Sequence, residues 1–309
     1  MRILVVGAGA TGGYFGGRMV EAGRDVTFLV RSGRATQIKA NGLQIVSPHG
    51  NVTLQPKLVT ADALTADYDA VLLTVKAYAL DAAIQDLKPA MTGGAMIIPV
   101  LNGMRHVDSL VGEFGEAAVL GGVCVVASMV DGAGRIVQLA PMQELSYGER
   151  SGIITDRLRA LDATIQDSGF PSKMSETILQ AMWEKWTFLA TLGALTCLMR
   201  GAIGAIVAVP GGRDVALGML AECASVAAAE GFPPSAVFMT RISSMVTLEG
   251  SPLTASMYRD LQAGAPVEAD QILGDMLVRA ERHGLATPLL RAAFTQLSIY
   301  QAGLTAPRA

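Results

Sequence analysis

Lys185 is a charge in an apolar place. Around Ala181–Leu192, "AMWEKWTFLATL", a helical period of 3.6 puts Ile178, Ala181, Met182, Lys185, Phe188, Leu189 and Leu192 on one apolar stripe. Thr177, Gln180, Glu184, Thr187 and Thr191 fall on the opposite stripe, where solvent is expected. A lysine on the apolar stripe either snorkels its amine out past its neighbours or points into a cavity that uses it. In the second case desolvation disfavours the charged form and eases proton release, while any remaining charge stabilises an oxyanion. Such a lysine suits protonation of a carbonyl oxygen under reduction.

A carboxylate offers a second candidate. In "SMYRDLQAGAPVEADQILGDM", Pro266 is expected to start a helix with Glu268 in its first turn, where a carboxylate either steadies the helix dipole or takes part in chemistry. Ser256 and Asp260 fall one turn apart on the preceding helix, a spacing that fits capping and solvent exposure as well as ligand contact. The three histidines, His49, His106 and His283, have no ligand spacing with a thiol or carboxylate, so no metal is expected and the rings are expected at the surface.

The elements that position these residues fall into two halves. "RILVVGAG" is a continuous apolar run of the kind found in a parallel strand buried on both faces. "GGYFGGRMVEAG" follows as a helix and "DVTFLVR" as the next strand. "NGLQIVS" and "NVTLQPKLVT" can form a hairpin. "DAVLLTVKAY", a helix around "ALDAAIQDL", and "GAMIIPVLNG" continue a βα rhythm that predicts a doubly wound Rossmann sheet. "AVLGGVCVVASMV", the turn "DGAG", "RIVQLA" and "ELSYGER" look like closing antiparallel strands. From about Thr155 the periodicity is helical. A boundary is therefore expected near Gly169–Ser172, with an α/β nucleotide-binding domain over 1–170 and an all-helical domain over 171–309.

The glycine turn indicates a cofactor. "VVGAGATGG" contains G-x-G-x-x-G as Gly7, Gly9 and Gly12, after a strand and opening a helix. The first glycine allows the tight turn, the second the approach of a pyrophosphate, and the third close packing of helix on strand. The alternatives are a turn that binds nothing and a methyltransferase cofactor. The second strand ends "FLVRSGR", with Arg31 and Arg34 and no carboxylate for ribose hydroxyls, so NADP(H) is expected over NAD. Lys76 in "LLTVKAY" and Asn102 in "PVLNGMRH" follow buried strands at the edge where ligands bind in this topology.

Composition narrows the function classes. A chain of 309 residues, 51% of them hydrophobic, fills two substantial cores. A net charge of −3 without a basic run gives no footprint for nucleic acid or an anionic membrane, which leaves a small-molecule partner. Cys124, Cys197 and Cys223 lie in apolar contexts that suggest buried thiols, and "MRILVVG" runs straight into structure, so a cytoplasmic protein is expected. "FLATLGALTCLMRGAIGAIVAVPGG" is apolar, but Arg200 and the glycines interrupt it, and it is read as core helix. Its small residues fit packing within a monomer or across a homodimer.

Taken together, "GAGATGGYFG", "LLTVKAY", "LNGM", "MWEKW", "SMYRDL" and "VEADQILGDML" resemble the ketopantoate reductase (2-dehydropantoate 2-reductase) family over nearly the whole chain. The resemblance implies NADPH-dependent reduction of a 2-oxo acid, with Lys185 as general acid and Glu268 binding the substrate hydroxyl and orienting the lysine. It also implies that Ser256 contacts the substrate carboxylate and that Asn102 and Lys76 line the cofactor cleft. The chain departs from the family at Leu189, Gly193 and Leu253, where members commonly carry asparagines. Without those amides the pocket is expected to be more apolar, so a different, more hydrophobic oxo acid is the alternative substrate. A non-catalytic NADP(H) sensor is the alternative of another class.

Overall fold

The computed structural model describes residues 1–305 and divides into two compact units. One comprises Met1–Leu101 with His106–Ile178, the other Asn102–Arg105 with Leu179 onward. Its strands are β1 (Ile3–Val6), β2 (Val26–Leu29), β3 (Leu43–Val46), β4 (Val52–Leu54), β5 (Lys57–Val59), β6 (Ala70–Leu73), β7 (Met96–Pro99), β8 (Gly121–Val130), β9 (Ile136–Gly148) and β10 (Ser172–Met174). All of them belong to the first unit, with helices α1 (Ala10–Glu21), α2 (Ser32–Asn41), α3 (Leu80–Met91), α5 (Asp156–Ile165) and, from His106 onward, α4 (Arg105–Phe114).

One sheet is parallel throughout, in the order β5-β2-β1-β6-β7. Strands β1, β6 and β7 are buried at every position, which accounts for their unbroken apolar runs. The chain passes from β1 to β2 on one side and later to β6 on the other, so the switch point lies at the carboxyl end of β1. The second sheet runs β10-β9-β3-β4, with β8 also on β9. As expected, β3 and β4 form a hairpin; β5 then leaves to join β2. "RIVQLA" and "ELSYGER" are parts of one strand, β9, in which Leu139–Met142 bulge out opposite Ala127 of β8. Helix α1 lies between the sheets. A Cβ on its Gly16 would fall 2.7 Å from Phe28, and one on its Gly13 2.2 Å from Ile136, so small residues there allow both sheets to approach.

The expected boundary at 170/171 moves. Ser172–Met174 adds to the edge of β9 as a parallel strand, and the first unit ends at Ile178. Pro171 conceals this strand in the sequence by resembling a helix stop. His106, expected at the surface, is fully buried on the inner face of α4 with Val107 and Leu110, whereas His49 and His283 are exposed.

The second unit is helical: α6 (Ile178–Met199), α7 (Ile203–Val207), α8 (Gly212–Ala229), α9 (Ala236–Val246), α10 (Ser256–Gln262), a π-turn (Asp270–Gly274), α11 (Asp275–Arg282) and α12 (Pro288–Thr305). Arg200, at φ 56°, breaks the long apolar run into α6 and α7. Ser235 caps α9 through Phe238 N, and the Glu222 carboxylate of α8 accepts from Leu289 N and Leu290 N at the start of α12. Among the described residues no helix is long and apolar enough to cross a membrane. The three cysteines are buried, and burial pushes the Cys197 and Cys223 thiols up to about 12.

Candidate active site

In the first unit the glycine turn forms at the switch point. Gly7, at φ 95°, turns the chain out of β1, and its N–H donates to Leu29 O. A Cβ on Gly12 would lie 2.1 Å from Thr74 Oγ1 and 2.2 Å from the Gly7 carbonyl, so no side chain fits there. Thr74, at the end of β6, donates its hydroxyl to Val6 O at 2.7 Å and locks the turn to the neighbouring strand. Sequence reasoning passed over Thr74, because nothing local marks it. Around Gly9, in contrast, a Cβ would meet nothing within 4 Å. Gly9 is the N-cap of α1, with no side-chain cap and no acidic residue in the first turn, so the first N–H groups of α1 are available to an anion. These features fit a dinucleotide pyrophosphate.

The two arginines after β2 have different roles. Arg34 is built into the protein: its guanidinium donates to Ala8 O at 3.0 Å, to Gly134 O at 2.8 Å and to Gln37 Oε1. Arg31 is exposed and is the N-cap residue of α2, whose first turn also lacks an acidic residue. A phosphate beside β2 would therefore meet Arg31 and the start of α2. Lys76 is exposed just beyond β6, before the 3₁₀ turn Ala77–Ala79.

In the second unit α6 departs from the sequence expectation at two threonines. Thr187 and Thr191, assigned to the solvated stripe, are fully buried, as are Trp183 and Trp186. On the apolar stripe Ile178, Met182 and Leu192 are buried as expected, while Ala181, Lys185, Phe188 and Leu189 are half-open, as are Gln180 and Glu184 on the other stripe. For Thr191 the physical reason is local: it donates its hydroxyl to Thr187 O at 2.8 Å, so the group is satisfied within its own helix and tolerates burial. Lys185 is thus a half-buried cation on an accessible, largely apolar strip.

Its neighbours on α6 are tied down. Glu184 accepts from Ser235 N at 2.9 Å, and Trp186 Nε1 donates to Ile272 O at 2.9 Å. Trp183 stacks on Phe232, and the Arg279 guanidinium lies 5.5 Å from the Trp183 ring centroid and 5.6 Å from that of Trp186. Arg279 is held by Glu230 at 2.7 Å and Asp275 at 3.3 Å. Burial acts to raise the Glu230 carboxyl, but Arg279 and His283 outweigh it and hold the group below its ordinary value.

Glu268 is buried and stands just before the π-turn, not in the first turn of a helix begun by Pro266. Its carbonyl accepts from Ile272 N, and Val267 N is held by Gln301 Oε1. Ser256 is exposed at the start of α10. Asn102 is half-buried, and its carbonyl accepts from Gln271 Nε2 at 3.3 Å. Leu189 and Leu253 are half-buried; Gly193 is fully enclosed, and a Cβ there would fall 2.7 Å from Met257 Cε. Met257 was not singled out from sequence, since its contact with Gly193 exists only when α10 packs on α6.

Two family models cover most of the chain: residues 3–152 match the ketopantoate reductase PanE/ApbA model, and residues 177–301 match its C-terminal counterpart. The chain belongs to the ketopantoate reductase family. It is accordingly an NADP-dependent oxidoreductase, with the mixed α/β and helical architecture of that family. An uncharacterized oxidoreductase of Bacillus subtilis, YkpB, is 37% identical over 98% of this chain and 99% of its own length. The structure of 2-dehydropantoate 2-reductase from Geobacter metallireducens GS-15 is 26% identical, with a TM-score of 0.86 over 97% of this chain and 99% of that one. The ternary structure of D-mandelate dehydrogenase with NADH and anilino(oxo)acetate shares the fold, at 20% identity and a TM-score of 0.86 over 99% of this chain and 100% of that one.

Proposed function

We propose that this oxidoreductase reduces the carbonyl of a 2-oxo acid with NADPH, its nominal substrate being ketopantoate and its product pantoate. When bound, the cofactor supplies the hydride. Gly7, Gly9 and Gly12 with the start of α1 hold its pyrophosphate, and Arg31 takes the 2′-phosphate. Lys76 and Asn102 complete its binding, Asn102 also touching substrate. Lys185 delivers a proton from Nζ to the substrate oxygen as negative charge builds there. Glu268 accepts the substrate hydroxyl and orients the lysine, and Ser256 donates its hydroxyl to the substrate carboxylate. The observation that carries this reading is the position of Lys185 on the half-open strip of α6 between Ala181 and Phe188. On this reading the chain serves pantothenate biosynthesis in the cytoplasm.

A second substrate is favoured by one contact. Met257 occupies the space beside Gly193 that a polar side chain on α6 would need. With Leu189 and Leu253 also apolar, the site supplies fewer donors for a hydroxylated substrate and suits an oxo acid with a hydrocarbon side chain.

The test follows loss of reduced-nicotinamide absorbance with NADPH or NADH, on adding ketopantoate, 2-oxoisovalerate or a bulkier oxo acid. NADPH-specific turnover of ketopantoate supports the nominal substrate, and turnover only of the others supports the apolar one. Lys185→Ala is expected to bind NADPH like the parent and to lose turnover by about 10²- to 10⁴-fold. Unchanged turnover would remove the lysine from the mechanism. No turnover by the parent chain with any oxo acid, alongside tight NADPH binding, would favour a sensor.

A further inference from the structure

Three of the residues assigned above are tied to one short segment. The π-turn Asp270–Gly274 interrupts the α-helical ladder: Asp275 N donates five residues back, to Asp270 O. The Ile272 carbonyl accepts from the buried Trp186 indole, and Trp186 directly follows Lys185. The Ile272 N–H donates to the Glu268 carbonyl at 3.0 Å. Gln271, itself buried, donates its side-chain amide to the Asn102 carbonyl. The approach on that side is close, since a Cβ on Gly103 would lie 2.7 Å from Gln271 O.

We propose that this π-turn is the positioning element of the site, and that Trp186 and Gln271 are positioning residues, Trp186 setting Lys185 against Glu268 and Gln271 setting Asn102. The proposal rests on the functional reading above for the roles of Lys185, Glu268 and Asn102. Its physical basis is that an extra residue in the helical turn frees backbone groups from the i→i+4 pattern and offers them to side chains from elsewhere in the unit. The indole makes a buried hydrogen bond to the Ile272 carbonyl, so losing the N–H removes the polar tie between α6 and the turn and lets the turn move. Arg279 presses on the Trp183 and Trp186 rings and holds the donor in place. The side chains flanking Lys185 on α6 are anchored at separate points, Glu184 at the α9 N-terminus and Trp186 at the π-turn. Such a frame holds reacting groups in register, where an error of about 1 Å can lower a rate by about a hundredfold.

The experiment compares the parent chain with Trp186→Phe, which keeps the ring and removes the donor, and with Trp183→Phe, which trims the same helix but stacks on Phe232. For Trp186→Phe, kcat is expected to fall about ten- to a hundredfold, with the NADPH dissociation constant unchanged. Trp183→Phe is expected to lower the melting temperature without that loss of kcat. A Trp186→Phe variant with parental kcat and only a lower melting temperature would overturn the proposal. Crystal structures of the parent and Trp186→Phe provide an arm independent of activity: the Glu268 carboxylate is expected to shift relative to Lys185 Nζ, and an unmoved pair overturns the proposal. If the parent chain reduces no 2-oxo acid, the functional reading fails and the crystallographic arm still decides the positioning. Should Trp186→Phe fail to fold, Gln271→Met, which keeps length and loses the amide donor, is expected to displace Asn102 and raise KM; Asn102 in place with parental KM overturns the assignment.

Discussion

Met257 Cε crowds the space a side chain on Gly193 would enter: a Cβ built on the glycine is 2.7 Å from it. The pair joins α10 to α6 at the level where family members commonly carry an asparagine. A side chain on Gly193 requires the Met257 methyl to move aside, and Met257 is itself buried, only 3% exposed.

Gly193→Asn alone is expected to cost about 1–3 kcal/mol by overpacking, and Met257→Ala alone about 2–5 kcal/mol by leaving a cavity. The double variant should be more stable than the sum of the two losses, which urea unfolding of all four chains measures as a coupling energy. Because the new amide restores a polar donor, the double variant should also raise kcat/KM for ketopantoate relative to 2-oxoisovalerate. Strict additivity would mean that the two side chains do not share the space.

Gly9 and Gly12 should separate cofactor binding from folding. Gly9→Ala meets no protein atom, so its melting temperature is expected to match the parent, while NADPH affinity falls about tenfold or more as the methyl group intrudes on the phosphate path. Gly12→Ala forces Thr74 and the Gly7 carbonyl apart and should lower both affinity and melting temperature. Equal melting temperatures for the two variants would contradict the close packing of α1 on β6.

Glu149 should contribute to acid sensitivity. The Arg157 guanidinium donates to both its carboxylate oxygens, at 2.7 and 2.6 Å, and with Thr155 outweighs burial to hold the carboxyl below 4.5. A carboxylate depressed in the folded state contributes stability above its unfolded value and loses that contribution as pH falls through the folded value. Glu149→Gln is therefore expected to be about 2 kcal/mol less stable at pH 7, with the gap closing below pH 4.5. Chemical denaturation at stepped pH reads this directly, and a gap independent of pH would count against the pair.

Much of the cofactor half was legible without coordinates because its signals are local. A strand buried on both faces has an unbroken apolar run, the turn after it needs glycines at fixed spacing, and the loss of an acidic residue after β2 is visible in seven letters, "FLVRSGR". Lys185 was also picked out by a pattern within one helix. Which positions of that helix stay accessible was decided only in the folded unit, where Thr191, satisfied by its own backbone, was buried and Lys185 with Ala181, Phe188 and Leu189 stayed half-open. The strand Ser172–Met174, the burial of His106, the anchoring of Arg34 at Ala8 and Gly134, the filling of Gly193 by Met257 and the grip of Trp186 on Ile272 all depend on partners distant in sequence. Local spacing therefore determined which residue types can do the chemistry. Long-range packing alone decided which of them are held in place and what space is left beside them.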